Sequence, residues 1–223
     1  MGDSRNDPLR VDFDREIKLE FHGSTVTSDA GLLAYRELDD ALELTTTAAT
    51  GLHDTRTGQN TQHGLESLLR QSIYNRLAGY EDVNDAERLR VDPAMRAVVG
   101  GQAKDRTAAS TSEMARFETD TLSTKENLRH LSDLLGRWID QAHRHRTLTK
   151  LVLDMDSSVS ETYGQQQGSA YNGYFECTCY HPLFLFNPFG DVERVMLRRG
   201  NHASAKFLGA RRASFRLPAG TSQ

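Results

Sequence analysis

Two aspartates at the end of one apolar run carry the clearest chemistry in this chain. Residues 151–156 read L-V-L-D-M-D, and Asp154 and Asp156 stand two apart. On a β-strand, that spacing turns both carboxylates to the same face. Paired carboxylates at a strand end are hard oxygen ligands suited to Mg2+ or Mn2+. Such ions can stabilise both the attacking and the leaving oxygen of a phosphoryl transfer. Apolar strands that end in a turn-capping aspartate are common, so the pair alone does not decide the chemistry. Ser157, Ser158 and Ser160 follow it, then Tyr163-Gly164-Gln165-Gln166 and Tyr171-Asn172-Gly173-Tyr174. Small polar residues and glycines beside carboxylates let a polymer backbone come close, although the same residues also make an ordinary surface loop.

Other reactive side chains say less. Cys177 and Cys179 flank one threonine. A disulfide across so short a gap would be strained, so free thiols on one face of a strand are expected. His181 is nearby, but no fourth metal ligand is evident. His143 and His145, two apart in a helical segment, point to different sides and make a poor metal pair.

These residues need elements to position them. Residues 1–15 are charged and read as loose. Ile17, Leu19 and Phe21 alternate with polar residues, as in a short half-buried strand. Ser28 is placed to cap a helix through Leu32, Leu33, Leu38 and Leu42 to about residue 44. Residues 50–63 read as a loop. Leu65, Leu68, Leu69, Ile73 and Leu77 form one helical stripe, with Gly79 as its stop. Shorter helices are expected from Asp82 to Leu89 and from Pro93 to Val99. Ser110 and Glu113 have capping-box spacing, and a long helix follows from Leu128 to about His143. Tyr174 to Phe186 reads as one or two strands, Asn187–Asp191 as a turn, and Val192–Leu197 as the antiparallel return. Helices first and a sheet afterwards make an α+β chain. Its divisions are a helical region at 1–147, strands at 148–202 and a basic tail at 203–223.

The chain has 223 residues, 37% of them hydrophobic, and a net charge of -4. The mean hydropathy is -0.60. No apolar run is long enough to span a bilayer, and the polar start lacks a signal-peptide core. A cytoplasmic protein without membrane partners is therefore expected. From Arg194 onward there are seven cations (Arg194, Arg198, Arg199, Lys206, Arg211, Arg212 and Arg216) and no carboxylate side chain. Removing those seven from -4 leaves residues 1–193 at -11. An acidic body with a basic end fits either a solvated tail or a phosphate-binding one.

The segment from L-V-L-D-M-D-S-S-V-S-E-T-Y-G-Q-Q-Q-G-S-A-Y-N-G-Y, with C-Y-H-P-L-F-L-F and L-R-R-G-N behind it, closely resembles the group 1 DDE transposases of bacterial insertion sequences. The likeness is to the type numbered thirteen-eighty. It extends back through T-S-D-A-G-L-L-A-Y-R-E-L-D, L-L-R-Q-S-I-Y-N-R-L-A-G-Y-E-D-V-N-D-A, D-P-A-M-R and S-T-S-E-M-A-R-F-E, in the same order over residues 17–202. The resemblance implies a ribonuclease-H-like mixed sheet, here only its start, preceded by helices that help bind the element's terminal inverted repeats. It implies DNA strand cleavage and transfer with Mg2+ or Mn2+ held by three acids. The first of these matches Asp156, which precedes the two serines. Asp154 is either its partner or the ligand itself.

In the resembled family, the second aspartate and the final glutamate lie well beyond the L-R-x-G-N block. Here no acid follows Glu193, and Arg212 stands near where the second aspartate would fall in A-R-R-A-S-F-R-L-P-A. A C-terminally truncated, catalytically incomplete transposase is therefore expected, acting at the bacterial nucleoid. The competing expectation is a non-catalytic DNA-binding fragment that occupies element ends, or that pairs with itself or with full-length transposase and inhibits it. Arg70, Gln71, Asn75 and Arg76 on the helix at 65–78, with Arg198 and Arg199, are the candidate DNA contacts, because Arg, Asn and Gln can read base edges. A plain solvent face of a bundle helix is the alternative for the first four.

Overall fold

The computed structural model describes residues 9–19, 29–57, 61–144 and 152–203. The chain forms two compact units, Met1–His130 and Leu131–Gln223.

The first unit begins with a hairpin of β1 (Leu9–Val11) and β2 (Asp14–Leu19), antiparallel with Leu9 opposite Leu19. Residues 9–15 are thus ordered where a loose segment was expected. Val11, only 1% exposed, anchors them in the core beside Leu32, Leu33, Tyr74, Met95 and Val98. Phe21 and Ser28 fall outside the described residues.

The single helix expected up to residue 44 is two: α1 (Leu32–Leu42) and α2 (Leu44–Thr50). They part at Glu43, which sits in the left-handed region at φ 51°. The cause is Asp39. Its carboxylate accepts hydrogen bonds from the Thr45 backbone N–H at 2.7 Å and the Thr45 hydroxyl at 2.6 Å, closing the turn from one helix to the next.

Helix α3 (Leu65–Leu77) is the centre of this unit, and Gly79 follows it at φ 85°. A 3-10 turn at Val83–Asp85, capped by Asp82, leads into α4 (Ala86–Leu89). Asp92 caps α5 (Pro93–Val99) by accepting from Met95 N–H, with Pro93 where a missing N–H costs nothing. A short α6 (Gln102–Asp105) was not foreseen. Ser110 caps α7 (Thr111–Arg116), as its spacing predicts, and the helix runs on as a π-turn through Phe117–Leu122. Helix α8 (Lys125–Ala142) crosses the boundary between the units.

The second unit is built on two small antiparallel sheets. One has the order β3 (Asp154–Ser157), β7 (Leu183–Phe186), β8 (Val192–Met196). The other has the order β4 (Ser160–Glu161), β6 (Cys177–Tyr180), β5 (Ala170–Asn172). β3 pairs with β7 and β4 with β6, so residues 154–161 run back along 177–186 as one long interrupted ribbon. The expected hairpin from β7 to β8 is present. Asn187 organises its turn by accepting from the N–H groups of Phe189 and Asp191. All strand pairs among the described residues are antiparallel, so the parallel part of a mixed sheet is not seen among them. The C-terminal part of α8 lies along β8: Asp133 pairs with Arg194, and a Cβ on Gly136 would meet Glu193 at 3.7 Å.

Candidate functional site

Strand β3 delivers the two aspartates differently from the expectation of a buried strand. It starts at Asp154 rather than in the preceding apolar run, and Asp154, Met155 and Asp156 are all exposed. Val152 is itself 52% exposed, and Leu151 lies outside the described residues. The reason is position: among the described residues β3 is an edge strand, bonded on one side only, to β7.

Its register fixes the surroundings of the carboxylates. Asp154 is opposite Phe186, and Asp156 is opposite Phe184. Directly paired residues share a face, so both carboxylates stand beside the stacked rings of Phe184 and Phe186, whose centroids are 6.2 Å apart. The spacing of the two aspartates along the strand is about 7 Å. Neither side chain has a hydrogen bond or ion pair among the described residues. Both are therefore free to take a hard cation, and their oxygens fit Mg2+ or Mn2+. They are two ligands of the several that such an ion requires. No group of three or more His, Cys, Asp or Glu side chains that could hold a metal gathers among the described residues.

The candidate DNA contacts on α3 are mostly interior. Gln71 is 0% exposed; its amide nitrogen donates to the Ala109 carbonyl at 2.9 Å, and its amide oxygen accepts from the Ala109 N–H at 2.8 Å. Arg70 is 7% exposed. It donates to Thr45 Oγ1 at 2.9 Å, lies 3.6 Å from Asp39 and 3.5 Å from Asp40, and pairs with Glu66. Asn75 is buried too. As placed, these three are neither a base-reading face nor a solvent face; they are the polar interior of the first unit. The hydrophobic stripe misled because the partners of Arg70 and Gln71 lie on α1, α2 and the residues before α7. Arg76 reaches the surface, held by Glu118 at 2.9 Å.

The same network buries Tyr74, whose hydroxyl donates to Asp39 at 2.9 Å. Burial first, and the Asp39 charge second, push its ionisation far above the ordinary range.

The two arginines after β8 also differ from each other. Arg199 is exposed, whereas Arg198 is 8% exposed. The Arg198 Nε donates to the His181 carbonyl at 2.9 Å, and one terminal nitrogen is buried with no partner among the described residues. Desolvation lowers its pKa. Gly200 follows because nothing larger fits: a Cβ there would lie 2.4 Å from the Ala170 carbonyl oxygen and 2.5 Å from that of Cys179. Lys206, Arg211, Arg212 and Arg216 lie outside the described residues, as does His145. Cys177 and Cys179 are free thiols on β6, the second fully buried. Burial, with Cys179 adding to it, raises the Cys177 pKa.

One cavity was not singled out from sequence. It measures about 580 Å³ and is lined by residues 171–175, His181 and residues 201–203. The signal was present in Y-N-G-Y-F, three aromatic rings within five residues, but the second wall comes from thirty residues away. Asn172 fixes the ring-bearing turn by accepting from Tyr174 N–H at 2.9 Å and donating to the Gly200 carbonyl at 2.5 Å.

No described helix is long and apolar enough to cross a membrane. A family model described as transposase DDE domain, group 1, matches residues 9–215. No curated protein and no solved structure matches the chain.

Proposed function

The chain belongs to the group 1 family of transposase DDE domains, and from that premise we propose that Asp156, with Asp154 beside it, supplies the first acidic position of a metal-dependent DNA strand-transfer site. The observation that carries this is the exposed carboxylate pair on strand β3, with no partner among the described residues. A divalent ion held there would neutralise charge on the phosphate undergoing attack. Asp156 is the ligand and Asp154 the neighbour that shares or orients it. The rings of Phe184 and Phe186 displace water from one side of the pair, which strengthens its hold on a cation.

The substrate of this reading is the terminal inverted repeat of a bacterial insertion sequence, met at the nucleoid. Of the sequence candidates, Arg199 and Arg76 are the ones with exposed charge for phosphate contact. The helical first unit is the proposed end-binding region.

A second reading has its own support. Residues 194–223 hold seven cations and no carboxylate, so this polypeptide alone adds no acid to its sheet after Glu193. Two carboxylates do not complete the coordination of two divalent ions. On this reading, these residues act without catalysis: they occupy element ends, pair with themselves or with full-length transposase, and inhibit transposition.

One assay separates the two. The purified chain is incubated with Mn2+ or Mg2+ and duplexes carrying the element's ends. Metal-dependent nicking that Asp156→Asn abolishes supports the first reading. Salt-dependent binding without nicking, together with inhibition of added full-length transposase, supports the second. Nicking that survives Asp156→Asn overturns the assignment of Asp156, and absence of any DNA binding overturns both readings.

A further inference from the structure

We propose that the cavity between residues 171–175 and 201–203 is a receptor for one unstacked nucleotide of a DNA strand, distinct from the carboxylate pair on β3. The proposal rests on the DNA-acting reading above and adds a subsite to it.

The first argument is exposure. Tyr174 is 87% exposed, Tyr171 61% and Phe175 39%. Scattered apolar side chains on a surface are ordinary, but three rings within five residues around one concavity are a patch that calls for an occupant. The rings are arranged rather than collapsed. Tyr174 meets Phe175 edge to face at 4.9 Å, and Phe175 meets His181 in the same way at 5.8 Å. Edge-to-face packing leaves ring faces open for a flat aromatic guest.

The second argument is rigidity. The Asn172 side chain is spent on the Tyr174 and Phe175 N–H groups and on the Gly200 carbonyl. The turn carrying the rings is therefore tied at Gly200 to the turn that carries the other wall. Gly200 admits that approach only because it has no side chain. A preformed wall loses little entropy on binding.

The third argument is the chemistry of the rim. His181 lines the cavity while only 2% exposed, and its Nδ1 donates to the His202 carbonyl oxygen at 2.8 Å. The Asn201 amide has a donor and an acceptor, neither engaged among the described residues. Those groups suit the edge of a nucleobase, which offers donors and acceptors in one plane. No carboxylate lines the cavity. Just before residues 201–203 in the chain stand Arg198, hydrogen-bonded to the His181 carbonyl, and exposed Arg199. A negatively charged backbone is thus tolerated at the rim, whereas a cationic guest is not favoured. The volume of about 580 Å³ lies within the roughly 300–1,000 Å³ of small-ligand sites, enough for a nucleotide and too small for a folded partner's element. His181 is also three residues along the chain from Phe184, the cross-strand partner of Asp156, so one strand could serve both places.

The test uses the full chain in metal-free buffer, where no cleavage intrudes. Duplexes carrying one unpaired 2-aminopurine and matched fully paired duplexes are titrated while fluorescence is read. The wild type is expected to bind the unpaired form at least about tenfold more tightly, with quenching of the base by stacking. Tyr174→Ala should weaken the unpaired complex by about 5- to 100-fold and leave the paired one unchanged. Tyr174→Phe should stay within about twofold, because it keeps the ring. Tyr174 is exposed, so neither change threatens folding, and thermal melting confirms it. Equal affinity for paired and unpaired duplexes, or an unpaired preference that survives Tyr174→Ala, overturns the receptor. Loss of metal-dependent nicking as the predicted effect of Asp156→Asn is read separately: if nicking is indifferent to Asp156 while the unpaired preference depends on Tyr174, the strand-transfer reading fails and the receptor stands.

Discussion

The two units handle polar and aromatic groups in opposite ways. In the first, charged side chains are drawn inside and saturated: Asp39, Asp40, Arg36, Arg70, Thr45 and Tyr74 form one network, with Arg36 also donating to the Val98 carbonyl at 2.5 Å. In the second, two carboxylates and three aromatic rings stand exposed. A saturated network has no capacity left for a ligand, so its residues work on the fold. Exposed carboxylates and rings on a rigid frame keep their capacity for a ligand. The contrast moves the expected DNA-contacting role away from the centre of α3 and toward the surface of the second unit.

The sharpest way to break that contrast is to remove the hub of the first network. Asp39→Ala strands the Thr45 N–H and the Tyr74 hydroxyl in the interior and removes one of the three carboxylates around Arg70. It should destabilise the first unit by about 3–5 kcal/mol. Hydrogen exchange read unit by unit measures it; a loss below about 1 kcal/mol would show that the network is not saturated as described. Next in size is a steric test in the second unit. Gly200→Ala drives a methyl group against two carbonyl oxygens and the Cys179 sulfur, at 2.7 Å from the last. About 3 kcal/mol of destabilisation is expected in that unit. Gly31→Ala, where a Cβ meets nothing within 4 Å, is the control.

What the sequence disclosed follows from how local each cause is. Ser110 with Glu113 announces a helix start because cap and backbone are three residues apart, and Pro93 announces another because its fixed φ suits the first turn of a helix. The Asn187–Asp191 turn announces the β7–β8 hairpin for the same reason. The direction of Gln71 was not legible, since it is set by Ala109, 38 residues away. Nor was the break at Glu43, which depends on a carboxylate choosing a neighbouring helix over solvent. The carboxylate pair was found by its spacing, but its exposure was not, because an edge strand and a central strand can share one apolar pattern. The cavity needed both a local aromatic run and a distant glycine-bearing turn, and only the first is written in consecutive residues.

A pH titration sharpens the comparison further. The Tyr74 pKa is raised above its ordinary value of 10.0 in the folded first unit. A raised folded value means that stability is full below about pH 10 and falls above it, because the unfolded chain then releases the proton and the folded one retains it. The first unit should lose up to about 1.4 kcal/mol per pH unit above that point. Tyr74→Phe should flatten this dependence, at the cost of one hydrogen bond to Asp39. Unit-resolved unfolding at pH 9 to 11 checks it, and an unchanged slope in Tyr74→Phe would assign the titration to other groups.

The smallest expected effect is the most discriminating. Asp154→Asn with Asp156→Asn removes two like charges about 7 Å apart on one strand face. Neither carboxylate holds a partner among the described residues, so folding should change by no more than about 0.5 kcal/mol, and in the stabilising direction if repulsion dominates. Metal exposes what the pair does contribute. Mn2+ should raise the melting temperature of the second unit in the wild type, by mass action on the folded form, and leave the double variant unmoved. A large loss of stability without metal would make the aspartates part of the frame, like Asp39. A metal response that persists in the double variant would place the cation elsewhere. The first unit, whose carboxylates are already engaged in its interior network, should show no response in either protein.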